Sequence, residues 1–574
     1  MAQTFRKDGA GPRQKVMPMR APRFRTAAAV AAVAALGLAA AGCASERDPE
    51  KPTKPEKLVF GVAGDPKTLD PALASDGESF RVARQIYETL VAPEEGTAKI
   101  GPGLATDFKP DSTGLVWTFT LKKGVKFHDG TEFNAEAVCF NFNRWYNFKG
   151  LMQSPDVSAY WQDIFGGFAV NEDKDLPPSL FKSCTAKDPS TVDITITKVT
   201  SKFPAALALP SFSMSSPKAL QDYKADGAEG SAENITYPSY AMEHPTGTGP
   251  YKFVEWDRTN KVVKLTRNED YHGAGKAKIK DLFFQTISDL DARKQALRSG
   301  TIHGYDLVAP QDVKALKGEG FNVLTRPAFN VLYLAINQSG NPALAKLEVR
   351  QAIAYALNRK AIVDSKFPEG STVAVNFHPP SLEGHNDSVT KYDYSTQKAK
   401  ELLTQAGFAT GLTLKFGYPT EVTRPYMPDP KGIFELMKAD LEAAGIKVEP
   451  VALKWSPDYL NKMTSGKDHD LHMLGWTGDY GDAYNFIGTF FDRPKDEWGF
   501  NNAQLFAKFA EADKEPDLTK RYALYKELNK MLLEFVPGVP VAHGPPSLVL
   551  AKNVSGVKAS PLTDERYYNA EFTN

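Results

Sequence analysis

A chain of 574 residues, 42% hydrophobic and 24% charged, is long enough for three or four compact units and too ordinary in composition to be fibrous or wholly disordered. Its 69 basic and 69 acidic residues balance to a formal net charge of +0, which gives no sign of the basic surface that nucleic acid requires. Three cysteines and nine scattered histidines, with no HExxH or CxxC spacing, form no compact metal-ligand motif.

Residues 1–26 carry Arg6, Lys7, Arg13, Lys15, Arg20, Arg23 and Arg25 against Asp8 alone, and residues 27–41 are an apolar run interrupted only by Gly37. That run is short for a bilayer span and has the length of a signal-peptide hydrophobic region behind a basic n-region, so residues 1–42 are set outside the fold. It ends in Leu38-Ala39-Ala40-Ala41-Gly42-Cys43-Ala44, which resembles a bacterial lipoprotein processing site with Cys43 as the lipidated residue. Small residues let a peptidase approach the backbone, and the thiol is the nucleophile that accepts the diacylglyceryl group. The match departs where such sites carry leucine: Ala40 stands there, and Leu38 lies further upstream. Removing residues 1–42 takes away seven basic residues and one acidic, which leaves a mature chain near minus six. Residues 43–57, from the anchor cysteine through a charged stretch with three prolines, suit a solvated tether.

Leu58-Val59-Phe60-Gly61-Val62 reads as a buried first strand, followed by Thr68-Leu69-Asp70-Pro71, a turn, and a helical stretch over residues 81–90. Val116-Trp117-Thr118-Phe119-Thr120-Leu121 alternates polar and apolar residues. Lys122-Lys123-Gly124 is expected to turn it into Val125-Lys126-Phe127-His128, a hairpin with one wet face closed by Asp129-Gly130. The His128-Asp129 pair reads as framework rather than acid-base machinery. In residues 134–146, Ala135, Val138, Cys139, Phe142 and Trp145 fall at helical spacing and place Cys139 on a packed face. Outside the cytosol, Cys139 and Cys184 are expected to be joined. A second hairpin runs through Tyr251-Lys252-Phe253-Val254-Glu255-Trp256 and Lys261-Val262-Val263-Lys264-Leu265.

Further on, Ser395 caps a helix bearing Ala399, Leu402, Leu403 and Ala406 and ended by Gly407. Ile433, Leu436, Met437, Leu441 and Ala444 form another stripe, stopped by Gly445 before a strand that begins at Ile446. Helix followed by strand predicts an α/β lobe. No repeat of 20 to 50 residues is evident, which sets solenoids and propellers aside. No GxSxG elbow and no GxxxxGK[ST] phosphate loop occurs, so the residues give no enzyme signature.

Certain stretches, in their shared order, resemble the extracellular solute-binding proteins, family 5, of dipeptide, oligopeptide and nickel importers. They are Leu115-Val116-Trp117-Thr118-Phe119-Thr120-Leu121, Gly247-Thr248-Gly249-Pro250-Tyr251, residues 349–362 and Gly475-Trp476-Thr477-Gly478-Asp479-Tyr480-Gly481-Asp482. The resemblance implies an α/β, periplasmic-binding-protein-like fold of two lobes with a hinge and an extra subdomain in the first lobe. Its implied boundaries are 58–328 for lobe I, with the subdomain at roughly 98–245, then 329–544 for lobe II and 545–574 for the return to lobe I. Residues 329–332 and 541–543 would be the hinge crossovers. It implies no enzyme activity and no cofactor. The implied partners are a short peptide ligand, an ABC permease with a separate cytoplasmic ATPase, and membrane lipid through the anchor; nucleic acid is not among them. The implied receptor is a monomer, extracytoplasmic and lipid-anchored to the outer face of the cytoplasmic membrane.

Among those relatives, residues 473–480 are most like dipeptide-binding members, whose aspartate at the position of Asp479 pairs with the ligand's α-ammonium. Thr423-Arg424-Pro425-Tyr426 resembles the segment whose arginine forks onto the α-carboxylate, which makes Arg424 the second anchor. Trp476 either walls a side-chain pocket or packs beneath the loop, and Tyr480 and Asn330 are further expected contacts. Ala483 stands where relatives commonly have proline. The alternative cargoes are longer oligopeptides and nickel- or haem-type ligands, and the alternative role is that of a peptide-signal receptor.

Overall fold

A computed structural model describes residues 55–231 and 234–573. Cys43 and the anchor segment before residue 55 therefore lie outside the described residues.

Two mixed sheets dominate. The seven-stranded sheet runs Tyr251–Asp257, Val262–Arg267, Asp281–Thr286, Lys57–Val62, Gly304–Tyr305, Ser547–Leu550, Asn322–Thr325 in spatial order. Lys57–Val62 is parallel to Asp281–Thr286 and to Gly304–Tyr305. Leu58 and Phe60 are buried at its centre, as an apolar first strand requires. The six-stranded sheet runs Thr372–Val373, Gly538–His543, Asn330–Ile336, Leu471–Thr477, Leu412–Thr420, Ile446–Lys454. Within it Leu412–Thr420 and Ile446–Lys454 pair in parallel through the helix Pro430–Ala443. Ile433, Met437 and Leu441 of that helix are buried, so the predicted stripe is its core face. The architecture is the two-lobed α/β fold that the resemblance implied.

The chain passes between the sheets twice, over residues 326–329 and 544–546. The resemblance placed these crossovers at 329–332 and 541–543, but those residues are mostly paired strand: Leu332 lies opposite Gly475 and Ala542. Pro327, Pro545 and Pro546 have no N–H to give a ladder, which moves the crossing into their segments. Asn330 joins the two passages. Its Nδ2 donates to Gly544 O at 2.7 Å and its Oδ1 accepts from Gly544 N at 3.1 Å.

A four-stranded antiparallel sheet, ordered Ala105–Pro110, Val116–Leu121, Thr191–Ile196, Phe181–Asp188, forms the extra subdomain with the helix Ala135–Tyr146. Here the predicted first hairpin fails. Val116–Leu121 is an inner strand between two partners distant in sequence from residues 125–128, while Val125-Lys126-Phe127-His128 contributes only an isolated bridge from Lys126 to Glu132. Burial of Phe119 and Leu121 against the subdomain core outweighs the local turn. Asn134 caps the helix, accepting from Ala137 N. Cys139 and Cys184 are joined, with Cα atoms 5.2 Å apart, and tie the helix to the strand Phe181–Asp188. His128 Nε2 donates to Gly249 O at 2.9 Å, and Asp129 accepts from Thr131 and Ser216, so this pair braces a turn.

A buried charge network grips the first crossover. Arg326 donates to both carboxylate oxygens of Glu565, at 2.6 and 3.0 Å, and to Asp306 at 2.6 Å. Asp306 is shared with Arg81, which also reaches Glu78 at 3.4 Å. Burial opposes ionisation of Asp306, yet the guanidinium groups of Arg326 and Arg81 hold its carboxyl far below the usual carboxylate range.

Candidate functional site

The strand Leu471–Thr477 ends where the lobes meet, and the next residues form a tight glycine loop carrying Asp479. A side chain on Gly478 would strike the Phe329 ring, and one on Gly481 would strike the Ala98 carbonyl, so the loop lies against both lobes only as glycine. Its two aspartates differ. Asp482 is buried and engaged by Arg521 at 3.1 Å, by the Tyr525 hydroxyl at 3.1 Å and by Tyr484 N at 2.8 Å. Asp479 is half-buried, and its carboxylate accepts from the Tyr160 hydroxyl at 3.1 Å, across the lobe boundary. No cation pairs with it among the described residues.

Burial is the first cause that lifts the Asp479 carboxyl to about 7; hydrogen bonds from Tyr160 and Asn485 and the charge of Arg84 work against the rise, while Asp163 adds to it. The group is poised between its charged and neutral forms at neutral pH. A cation brought to it would draw it fully to the carboxylate and gain a short charge-assisted hydrogen bond.

Asp479 walls a cavity of about 250 Å³ whose other charged walls are Arg84, Glu88, Lys122, Asp564 and Arg566. Glu88 is occupied by donors, with Thr248 at 2.8 Å, Tyr271 at 3.2 Å and His272 at 2.7 Å.

Arg424 does not share that cavity. It lies in a separate groove of about 740 Å³ between residues 307–311 of the first lobe and residues 365–369 and 423–430 of the second. There its guanidinium carbon stacks 4.5 Å from the centre of the Trp455 ring. Trp476 packs beneath the loop: its ring meets Phe490 edge-on at 5.6 Å and its Nε1 donates to Asn485 Oδ1 at 3.3 Å. The same Asn485 oxygen accepts from Asp479 N at 2.7 Å, so Trp476 and Asn485 fix the loop from below.

Two expected contacts are buried against protein partners. Asn330 is 1% exposed and spends its amide on Gly544. Tyr480 is likewise 1% exposed and inserts into the hydrophobic core of the extra subdomain, where it serves lobe contact. Sequence reasoning missed Tyr160 and Asn485. Tyr160 sits on the helix Pro155–Phe165, a segment with no motif, and only the tertiary fold brings it to Asp479.

A family profile described as "Bacterial extracellular solute-binding proteins, family 5 Middle" matches residues 99–498. Di/tripeptide-binding protein 1 of Pseudomonas aeruginosa (strain UCBPP-PA14) is 31% identical over 529 residues, covering 89% of this chain and 93% of that protein. Heme-binding protein A of Haemophilus influenzae is 30% identical over 523 residues, covering 89% and 91%. The solved dipeptide binding protein of Pseudoalteromonas sp. SM9913, in complex with Met-Leu, superposes with a TM-score of 0.75 at 25% identity, over 90% of this chain and 100% of that one.

Proposed function

This chain belongs to the family-5 bacterial extracellular solute-binding proteins, and on that premise we propose that it captures di- and tripeptides by their charged termini for delivery to an ABC importer. It is a non-catalytic binding protein, so the ATPase that drives uptake is a separate subunit behind the permease. It works outside the cytoplasm, held at the outer face of the cytoplasmic membrane by lipid on Cys43.

The observation that carries the reading is Asp479: a carboxyl at the lobe boundary, with its pKa raised to about 7 by burial and no ion-pair partner among the described residues. A peptide α-ammonium is the complement it lacks. Touching both lobes at once, the ligand favours the closed form, and closure makes the surface a permease can read. Arg424 is the proposed partner for the carboxylate of a ligand that extends into the groove it lines. Main-chain bonding at the termini leaves the side chains to roomy pockets, which suits a receptor that accepts many sequences.

Calorimetry with dialanine and trialanine, each compared with its N-acetylated and C-amidated form, tests the proposal. Free peptides bind in the micromolar range or tighter and acetylation abolishes binding; equal binding of the acetylated forms would defeat it. The haem-type alternative rests on the 30% identical relative named for haem. An absorbance titration with haemin that saturates at one equivalent, with no peptide binding, would select it.

A further inference from the structure

The lobes also meet away from the cavity that Asp479 walls. Residues 200–202 follow the subdomain strand Thr191–Ile196 and lie against two helices of the second lobe, Ala503–Lys514 and Leu518–Phe535. Thr200 Oγ1 donates to Asp513 Oδ1 at 2.6 Å, and Ser201 N donates to Asp513 O at 2.8 Å. Asp513 stands in the last turn of its helix, where backbone carbonyls have no donor within the helix, so the subdomain supplies the one it lacks. Arg521 Nη1 donates to Ser201 O at 3.2 Å, and Lys202 Nζ lies 4.6 Å from the centre of the Tyr484 ring. Thr200 and Ser201 are both buried. Arg521 is the joint of this patch. Its Nη2 is held at 3.1 Å by Asp482, in the same glycine loop as Asp479, which leaves Nη1 aimed at the first lobe. Asp513 has no ion-pair partner among the described residues, and the hydroxyls that reach its carboxylate, from Thr200 and Ser201, come from the first lobe. None of Thr200, Ser201, Asp513 and Arg521 lines the cavity beside Asp479 or the groove of Arg424.

We propose that residues 200–202, Asp513 and Arg521 form a latch that draws the lobes together without touching ligand and so sets how tightly any ligand is held. Every partner in the patch belongs to the chain itself, so the patch biases the free protein toward the closed arrangement. When the lobes part, the bonds from Thr200, Ser201 and Arg521 across the boundary pass to water, while the pair of Arg521 with Asp482 stays whole within the second lobe. The closing equilibrium multiplies the affinity of each ligand by the same factor, because a ligand that needs both lobes binds only the closed fraction. Through Asp482, Arg521 also ties the latch to the loop that presents Asp479, so closure and loop shape are set by one guanidinium. Arg521 and Asp513 are thus positioning residues for binding.

The latch does not depend on the ligand being a peptide, and its test has an arm that uses no ligand. Thr200→Asp sets a carboxylate against Asp513 and forces the two apart; adding Asp513→Asn supplies an amide donor and restores the contact. Small-angle X-ray scattering of the free full chain is expected to give a larger radius of gyration for Thr200→Asp than for wild type, with the double variant returning to the wild-type value. Calorimetry with dialanine and trialanine is expected to show both peptides weakened by the same factor, about tenfold, in Thr200→Asp and regained in the double variant. Thermal melts of each variant check the fold. Thr200→Val, which removes only the hydroxyl, gives a smaller change in the same direction and stands in should the aspartate variant fail to fold. An unchanged radius of gyration in the folded Thr200 variants overturns the latch and leaves the peptide reading standing. A loss confined to one of the two peptides would place residue 200 in ligand contact and also overturn it. If wild type binds neither peptide, the peptide reading fails and the scattering alone decides the latch.

Discussion

Arg81 and Arg84 lie one turn apart on the same helix and meet opposite treatment. Arg81 is paired twice, with Asp306 and Glu78, inside a network that also closes Arg326 on Glu565. Arg84 faces a cavity, where it donates to the Thr563 carbonyl and lies over the Phe80 ring, with no ion pair among the described residues. On the second lobe the contrast recurs within four residues, where Asp482 is paired with Arg521 and Asp479 has no ion-pair partner among the described residues. Where charge holds the hinge in shape, the fold supplies both partners; where charge lines the cavity beside Asp479, it supplies no ion pair among the described residues. Desolvating an unpaired charge costs stability, and the ligand's opposite charge offsets that cost.

The largest effect that can break this contrast lies in the network. Arg326→Met strips Glu565 of its guanidinium and leaves Asp306 with Arg81 alone, and is expected to lower unfolding stability by about 3–5 kcal/mol in denaturant melts. Asp479→Asn is expected to act on binding instead, weakening free-amine peptides by about 2–5 kcal/mol in calorimetry. Its effect on stability has the opposite sign. The carboxyl has its pKa raised to about 7 in the folded chain, so wild-type stability falls as pH rises from the unfolded value of 3.8 toward 7. The asparagine variant lacks that decline and is the more stable protein at neutral pH. A loss of stability in Asp479→Asn would erase the distinction between the two sites.

A third variant probes a region that serves neither role directly. Replacing Cys139 and Cys184 together by alanine releases a cross-link over a sequence separation of 45 and is expected to cost about 2–4 kcal/mol of stability, read by melts, with peptide affinity unchanged. The smallest effect sharpens the contrast most finely. Below pH 7, peptide affinity is expected to fall by about tenfold per pH unit, because Asp479 must first lose its proton, and the Asp479→Asn variant loses that slope.

Much of the frame was legible in the sequence because it is local. The helix capped by Ser395, the hairpin from Tyr251 and the helix stopped by Gly445 rest on periodicity and end signals that short segments carry. The hairpin expected after Leu121 was misread because Val116–Leu121 finds its partners at residues 105–110, through the preceding turn, and at residues 191–196, which no local turn reaches. The site divides in the same way. Asp479 stood out within a motif, whereas Tyr160 and Arg84 reach it from other segments of the chain, and no spacing rule joins those positions. Asn330 was expected to touch ligand because it flanks the crossover; the hydrogen-bonding needs of Gly544 claim its amide instead.

The central claim is that Asp479 is a partly protonated carboxyl that a peptide ammonium converts to carboxylate. Difference infrared spectroscopy of the full chain at mildly acidic pH, with and without dialanine, reads this directly. The predicted result is loss of a protonated-carboxyl C=O band on peptide addition, absent from the Asp479→Asn difference spectrum and absent when the peptide is N-acetylated. A wild-type spectrum with no such loss while dialanine binds, or the same loss in the asparagine variant, would contradict it.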